Sequence, residues 1–276
     1  MLHIGSIPIG HGAPLALITG LNVLEEEQDA LAFAATLQQL AERHAIPMVF
    51  KASWDKANRT RRTSYRGPGL DEGLQMLRLI KRETDLPILT DVHEPEQAKR
   101  LSEVVDCLQI PAFLCRQTDL LKACAATNLP INVKKGQFLA PQDVPHIVDK
   151  IATWGDGGVM MTERGTSFGY NDLLVDMRGL AQMRSYAPVC FDATHASQYP
   201  SAGEGCSGGD RRFVAPLARS AVAAGVDALF VEAHPDLEAA PCDGPCQIDV
   251  ATLDSLLGQI KAIDEALGGI SEVPPE

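Results

Sequence analysis

Pro130-Ile-Asn-Val-Lys-Lys-Gly-Gln-Phe-Leu-Ala-Pro-Gln-Asp-Val-Pro-His-Ile-Val-Asp-Lys-Ile-Ala-Thr-Trp-Gly-Asp-Gly-Gly-Val-Met-Met-Thr162 is the stretch on which the fold turns. It opens with a short, mostly apolar run, 130–134. A Pro141-Gln-Asp143 turn follows, and Val144, Ile147, Val148, Ile151 and Trp154 then recur at the spacing of one helix face. Residues 158–162 return to a short apolar run. Nearly continuous apolar strands alternating with amphipathic helices belong to a parallel sheet covered by helices.

The same unit repeats in both directions. Further strand-like runs at 15–23, 47–53, 86–92, 107–112, 188–194 and 228–232 bring the predicted strands to eight. Between them the helical spacing returns, as in Ala30, Phe33, Ala34, Leu37 and Ala41, and Glu94-Pro-Glu96 is a suitable helix start. Eight units predict an α/β fold of the closed (β/α)8, or TIM-barrel, type. No Gly-rich dinucleotide fingerprint follows the first run, which disfavours an open doubly wound sheet. Without a linker or composition break, 1–276 reads as a single barrel domain. Residues 1–14 form a short N-terminal cap in this reading, and the Pro-rich tail after Gly269 frays.

The chain has 276 residues and a formal net charge of −12, which argues against nucleic acid and anionic membranes as partners. The N-terminus lacks the pattern of a signal peptide, and no apolar run approaches the ~20 residues of a membrane span, so a cytoplasmic location is expected. Seven cysteines, most of them in apolar stretches, read as reduced core thiols. Cys242 and Cys246 lie near His234, but a zinc site there lacks an obvious fourth ligand.

Barrel enzymes carry their chemistry at the C-terminal ends of the strands, and polar residues fall there strand after strand. The ends show Asn22, then Lys51 and Ser53, Asp91 and His93, Gln109, Lys134 and Lys135, Arg164, His195 and Glu232. Each alone has an ordinary structural explanation; all eight on one rim do not. Lys51, Lys134 and Arg164 would converge as buried cations and need anionic partners, so a ligand with both phosphate and carboxylate is expected. After the second strand, 54–69 is a long cationic loop with Gly-Pro-Gly, in which Asn58, Arg59 and Thr60 are placed to grip a second phosphate. The glycine-rich stretch 203–209, followed by Arg211 and Arg212, reads as a mobile lid.

A set of motifs in fixed order carries a resemblance. They are Phe50-Lys-Ala-Ser-Trp-Asp-Lys-Ala-Asn-Arg-Thr60, Ser64-Tyr-Arg-Gly-Pro-Gly69, Thr90-Asp-Val-His-Glu-Pro95 and Gln109-Ile-Pro-Ala-Phe-Leu-Cys-Arg-Gln-Thr-Asp119. Asn132-Val-Lys-Lys135, Arg164-Gly165, Phe168-Gly-Tyr170, Phe191-Asp-Ala-Thr-His195, Ser207-Gly-Gly209, Glu232-Ala-His-Pro235 and Cys242-Asp-Gly-Pro245 continue it. Together they resemble the 3-deoxy-D-manno-octulosonate 8-phosphate synthases over nearly the whole chain. The resemblance implies condensation of phosphoenolpyruvate with D-arabinose 5-phosphate, for the lipopolysaccharide inner core, by a homotetramer. It implies that Lys51, Ser53, Gln109, Lys134 and Arg164 bind phosphoenolpyruvate. Asn58, Arg59 and Thr60 would bind the pentose phosphate and Asp91 its hydroxyls, with Arg116 reaching in from a neighbouring subunit. Lys56, between the two substrates, is assigned proton donation and charge stabilisation.

The family has a branch that binds a divalent metal through Cys, His, Glu and Asp, and a branch with Asn for the Cys. His195, Glu232 and Asp243 are present here but Asn22 stands at the first position, so no metal and no other cofactor is expected. Asn22, His195 and Asp243 then act beside Lys56 in catalysis, Asn22 by orienting the sugar. The chain departs from the family pattern at Gly136 (usually Pro), at Trp54 (usually Phe), at Asn171-Asp172 and around 201–206. Three rivals stand beside this reading. They are the related synthase that uses erythrose 4-phosphate, a non-catalytic sugar-phosphate sensor, and an aldolase with a Schiff base on Lys134.

Overall fold

The computed structural model describes residues 1–202 and 207–268. Part of the predicted lid, 203–206, and the predicted frayed tail after Gly269 lie outside the described residues. Eight strands close into one barrel: β1 Ala16–Gly20, β2 Met48–Lys51, β3 Ile88–Asp91, β4 Cys107–Ile110, β5 Ile131–Lys134, β6 Val159–Glu163, β7 Val189–Asp192 and β8 Ala228–Glu232. All neighbours are parallel, and β8 pairs with β1 while β6 pairs with β7 to close the ring. The (β/α)8 expectation holds. The predicted runs are longer than most strands because their ends leave the ladder; past Gly20 the first run touches its neighbour again through a bridge between Val23 and Ser53.

Helices fill the crossovers: α1 Glu27–His44, α2 Leu70–Thr84, α3 Pro95–Ser102, α4 Thr118–Ala125, α5 Val144–Trp154, α6 Met177–Arg184, α7 Val214–Ala223 and α8 Val250–Leu267. Strand residues alternate between two cores, as the two-residue pleat requires. Leu17, Phe50, Ile88, Leu108, Val133, Met161 and Phe191 pack outward on the helices. Ala16, Ile18, Val49, Leu89, Cys107, Met160, Cys190, Ala228 and Phe230 point inward. Leu2, Ile4, Ile7 and Ile9 join the inner cluster from an antiparallel hairpin, Leu2–Ile4 with Ile7–Ile9. This is the cap: it plugs the N-terminal mouth, where the inward residues are apolar.

Gly20 closes β1 with φ +152°, and a Cβ there would stand 2.1 Å from the Lys51 carbonyl oxygen. No side chain fits without moving the end of β2. Gly20→Ala should cost about 2 kcal/mol or more, measurable as a lowered Tm in thermal unfolding.

Candidate active site

Two residues beyond the apolar layer, the inward position becomes polar on five strands. Val49 is followed by Lys51, Leu89 by Asp91, Cys107 by Gln109, Cys190 by Asp192 and Phe230 by Glu232. Above this polar layer, at the C-terminal face, lies a cavity of about 1070 Å³ lined by Asp91 and Gln109 among others. Among the residues singled out in the sequence, Lys56, Asn58, Arg59, Thr60, Asp91, Gln109, Lys134, Arg164, His195 and Asp243 line it. Asn22, Lys51, Ser53 and Glu232 lie buried beneath it. Arg116 is exposed and does not line its own chain's cavity.

The expectation that three buried cations await an anionic ligand needs correcting, because two already have partners. Lys51 Nζ meets Glu232 Oε1 at 2.7 Å and also donates to the Asn22 carbonyl at 3.1 Å. Lys134 Nζ meets Asp192 Oδ2 at 2.5 Å and sits 3.2 Å from the centroid of the Phe230 ring. Arg164 differs: its Nη2 donates to Gln198 Oε1 at 3.0 Å, but Nη1 is buried without a partner among the described residues. A buried guanidinium N–H with no protein partner is costly, and its geometry suits an anion. Lys135 is turned away from the cavity, behind the barrel wall.

Asp91 is held by a relay along the wall. Thr162 Oγ1 donates to Asn132 Oδ1 at 2.5 Å, Asn132 Nδ2 to Gln109 Oε1 at 3.1 Å, and Gln109 Nε2 to Asp91 Oδ1 at 2.8 Å. Ser53 Oγ donates to the other oxygen, Oδ2, at 2.9 Å. Ser53 and Gln109 therefore orient Asp91 in this structure. On the opposite side, Asp192 Oδ2 takes His195 Nδ1 at 2.8 Å, which leaves Nε2 3.9 Å from Glu232 and 3.8 Å from Asp243. Asp192, Gln198 and Phe230 are functional positions the sequence reading did not single out. Asp192 and Phe230 carried a signal, the inward register of their strands. Gln198 lies in a two-residue strand, Gln198–Tyr199, paired with Gly208–Gly209 and too short to show periodicity, and carried none.

The loop 54–69 folds back on itself. Lys56 N donates to the Arg66 carbonyl at 2.6 Å, Gly69 N to the Trp54 carbonyl at 3.3 Å, and the Arg66 side chain pairs with Asp55. That fold presents Lys56 and 58–60 to the cavity, and Arg59 reaches across to the Pro241 carbonyl at 3.1 Å. Burial by itself would lower the Lys56 ammonium, but Glu232, Asp91 and Asp243 outweigh it and hold the group above an ordinary lysine. Lys56 is thus a charged ammonium facing the cavity, with no ion-pair partner at contact distance among the described residues.

The arrangement does not suit a metal ion. Asn22 Nδ2 donates to Glu232 Oε2 at 2.6 Å and to Asp243 Oδ2 at 3.1 Å, so the positive end of an amide occupies the place a cation would take between these carboxylates. No group of three or more His, Cys, Asp and Glu among the described residues is disposed to hold a metal. Around Cys242 and Cys246, burial pushes both thiols up to about 12, and the His234 ring faces the Asp236 carbonyl and Glu25 instead.

Burial raises the Glu232 carboxyl, but Lys51, His195 and Lys56 outweigh it and pull it down to about 2. Asp91 is likewise held well below the usual range, its burial outweighed by His93, Lys56 and Lys51. Both bind a proton more weakly folded than unfolded. Their contribution to stability is complete above a pH of about 4.5 and is lost as pH falls from there, for Glu232 through about 2 and for Asp91 at still lower pH. Acid titration followed by near-UV circular dichroism should show unfolding in that window, and Asp91→Asn should make the acid limb shallower.

The DAHP synthetase I family matches residues 2–268. A 2-dehydro-3-deoxyphosphooctonate aldolase of Magnetococcus marinus is 51% identical over 264 residues, covering 95% of this chain and 92% of its own. Proteins of the same name from Pelobacter propionicus and Syntrophotalea carbinolica are 52% and 49% identical, covering 95% and 98% of this chain and 96% and 98% of their own. The chain belongs to the DAHP synthetase I family and, at this identity over this length, to its 2-dehydro-3-deoxyphosphooctonate aldolases.

Proposed function

We propose that the chain condenses phosphoenolpyruvate with D-arabinose 5-phosphate and water, giving 3-deoxy-D-manno-octulosonate 8-phosphate and inorganic phosphate. The product serves the lipopolysaccharide inner core. One observation carries the reading: Arg164 Nη1 and the Lys56 ammonium, both unpaired among the described residues, face one cavity, at whose edge lie Asn58, Arg59 and Thr60. Such a site accepts two anions set head to head. Arg164 and Lys134 take phosphoenolpyruvate, and 58–60 take the pentose phosphate. Lys51 acts from beneath, through Glu232.

The enol carbon of phosphoenolpyruvate attacks the pentose aldehyde, and the aldehyde oxygen takes a proton to become a hydroxyl. Water adds to the cationic carbon left behind and gives up a proton. The tetrahedral intermediate then breaks its carbon–oxygen bond to phosphate and forms the keto acid. Lys56 is the proton donor at the aldehyde oxygen and stabilises charge there, while Asp91, locked by its relay, holds the sugar hydroxyls. Asn22 orients the sugar through Asp243, whose carboxylate it grips. The reaction needs no metal in this reading, since the Asn22 amide fills the cation's place.

The Schiff-base rival fits less well, because the Lys134 nitrogen is committed to Asp192 and Phe230. The sensor reading requires a lost catalytic group, and none is missing. The segment Lys56-Ala-Asn-Arg-Thr60 favours a pentose over erythrose 4-phosphate. The chain works as a cytoplasmic homotetramer in this reading, and the exposed Arg116 enters the cavity of an adjacent copy. No helix among the described residues is long and apolar enough to cross a membrane.

Chelator-treated protein should release phosphate from phosphoenolpyruvate with arabinose 5-phosphate, and not with ribose 5-phosphate or erythrose 4-phosphate. Release only with erythrose 4-phosphate would assign the chain to the related synthase; silence rescued by manganese would overturn metal independence. Lys56→Ala should cut kcat by about 10²–10⁴-fold and leave phosphoenolpyruvate affinity nearly unchanged. Near-normal turnover would remove Lys56 from the mechanism.

A further inference from the structure

Lys134 and Lys135 are adjacent, both are buried, and the pleat of β5 sends them to opposite sides of the barrel wall. Lys134 faces the cavity. Lys135 lies behind it at 0% exposure, where an ammonium is costly unless its three N–H groups are used. Its Nζ donates to the Leu139 carbonyl at 3.0 Å, Thr166 Oγ1 at 3.2 Å and the Gly136 carbonyl at 3.4 Å, with Glu163 Oε2 at 3.5 Å. These groups come from the two loops that follow β5 and β6, and Ser167 N ties the same loops together at the Gln137 carbonyl, 3.0 Å away.

Glu163 shows what this cation supports. It ends β6, and its Oε1 accepts the backbone N–H of Arg164 at 2.9 Å and of Gly165 at 2.7 Å. The turn carrying Arg164 is therefore wrapped around the Glu163 carboxylate, whose other oxygen faces Lys135. The turn has little latitude: Gly165 sits at φ +94°, and a Cβ there would lie 3.1 Å from Leu173 Cβ. Arg164 departs from this turn into the cavity, with Nη1 open.

We infer that Lys135 and Glu163 form a positioning pair for substrate binding. Neither touches substrate. The pair fixes the backbone from which the Arg164 guanidinium enters the site, and so sets affinity for the anionic groups of phosphoenolpyruvate without contributing to the chemical step. The inference rests on the proposed reaction, in which Arg164 binds that substrate.

The test uses Lys135→Met, Lys135→Arg and Glu163→Gln in the full chain, beside wild type. In the phosphate-release assay, Lys135→Met and Glu163→Gln should raise KM for phosphoenolpyruvate by about tenfold or more, with kcat within about threefold and KM for arabinose 5-phosphate unchanged. Lys135→Arg should recover part of the loss. Amide hydrogen exchange at 136–139 and 164–167 should quicken in Lys135→Met. An active wild type whose folded variants keep its KM for phosphoenolpyruvate overturns the pair alone, as does a loss that strikes kcat and both KM values together. An inactive wild type overturns the reaction instead, and unchanged exchange in Lys135→Met then rejects the clamp on its own. Should Lys135→Met fail to fold, Glu163→Gln, of nearly equal volume, decides.

Discussion

Inside the barrel, Lys51 and Glu232 face each other at 2.7 Å with 1% and 0% of their side chains exposed. Two ions removed from water each carry a desolvation penalty of several kcal/mol, and their attraction offsets it only when every remaining donor and acceptor is placed. That condition organises the upper half of the barrel. Lys51 uses the Asn22 and Leu21 carbonyls for its other N–H groups, and Glu232 takes the Asn22 amide on its second oxygen. Asn22 passes the constraint to Asp243, Gln198 carries it to Arg164, and among the described residues the chain of partners leaves open Asn22 Oδ1 and one Arg164 N–H. Most of the polar layer is thus satisfied by itself. The cavity is shaped by the few groups that are not.

This division explains the difference between charges that look alike in the sequence. Lys51 spends its charge on Glu232, and Lys134, though it lines the cavity, is held in place by Asp192, so the floor is rigid and preorganised. Arg164 and Lys56 hold theirs in reserve, Arg164 on a turn folded around Glu163 and Lys56 on a loop folded around its own backbone bonds. Catalysis between two anions needs both kinds. A floor that moved would lose orientation, and a site with every cation paired would have nothing to offer phosphate.

Of the departures from the family pattern, two have a visible setting. Trp54 donates its indole N–H to the Asp91 carbonyl at 2.9 Å and packs on His93, ring centroids 5.1 Å apart, so the larger ring buttresses the Asp91 strand end. At Gly136, a Cβ would fall 2.7 Å from the Phe138 ring, so that ring fills the space a larger residue would need. The loop containing Gly136 is further held by the Lys135 ammonium.

The eight strands, their parallel order and the polar rim were legible in the sequence, because each follows from local rules. A strand buried on both faces must be nearly all apolar, a covering helix must repeat every three to four residues, and a barrel's reactive groups must sit where the strands end. The motifs also named many of the residues that line the cavity. What no local pattern could specify was the partner of each charge. Lys134 and Lys135 are neighbours in sequence and opposites in space; Lys51 and Glu232 are 181 positions apart and in contact. Gln198, which joins Arg164 to Asp243, left no periodic mark at all. Pairing depends on distance through space, which only closure of the barrel sets, and it decided which cations support the site and which remain open to a ligand.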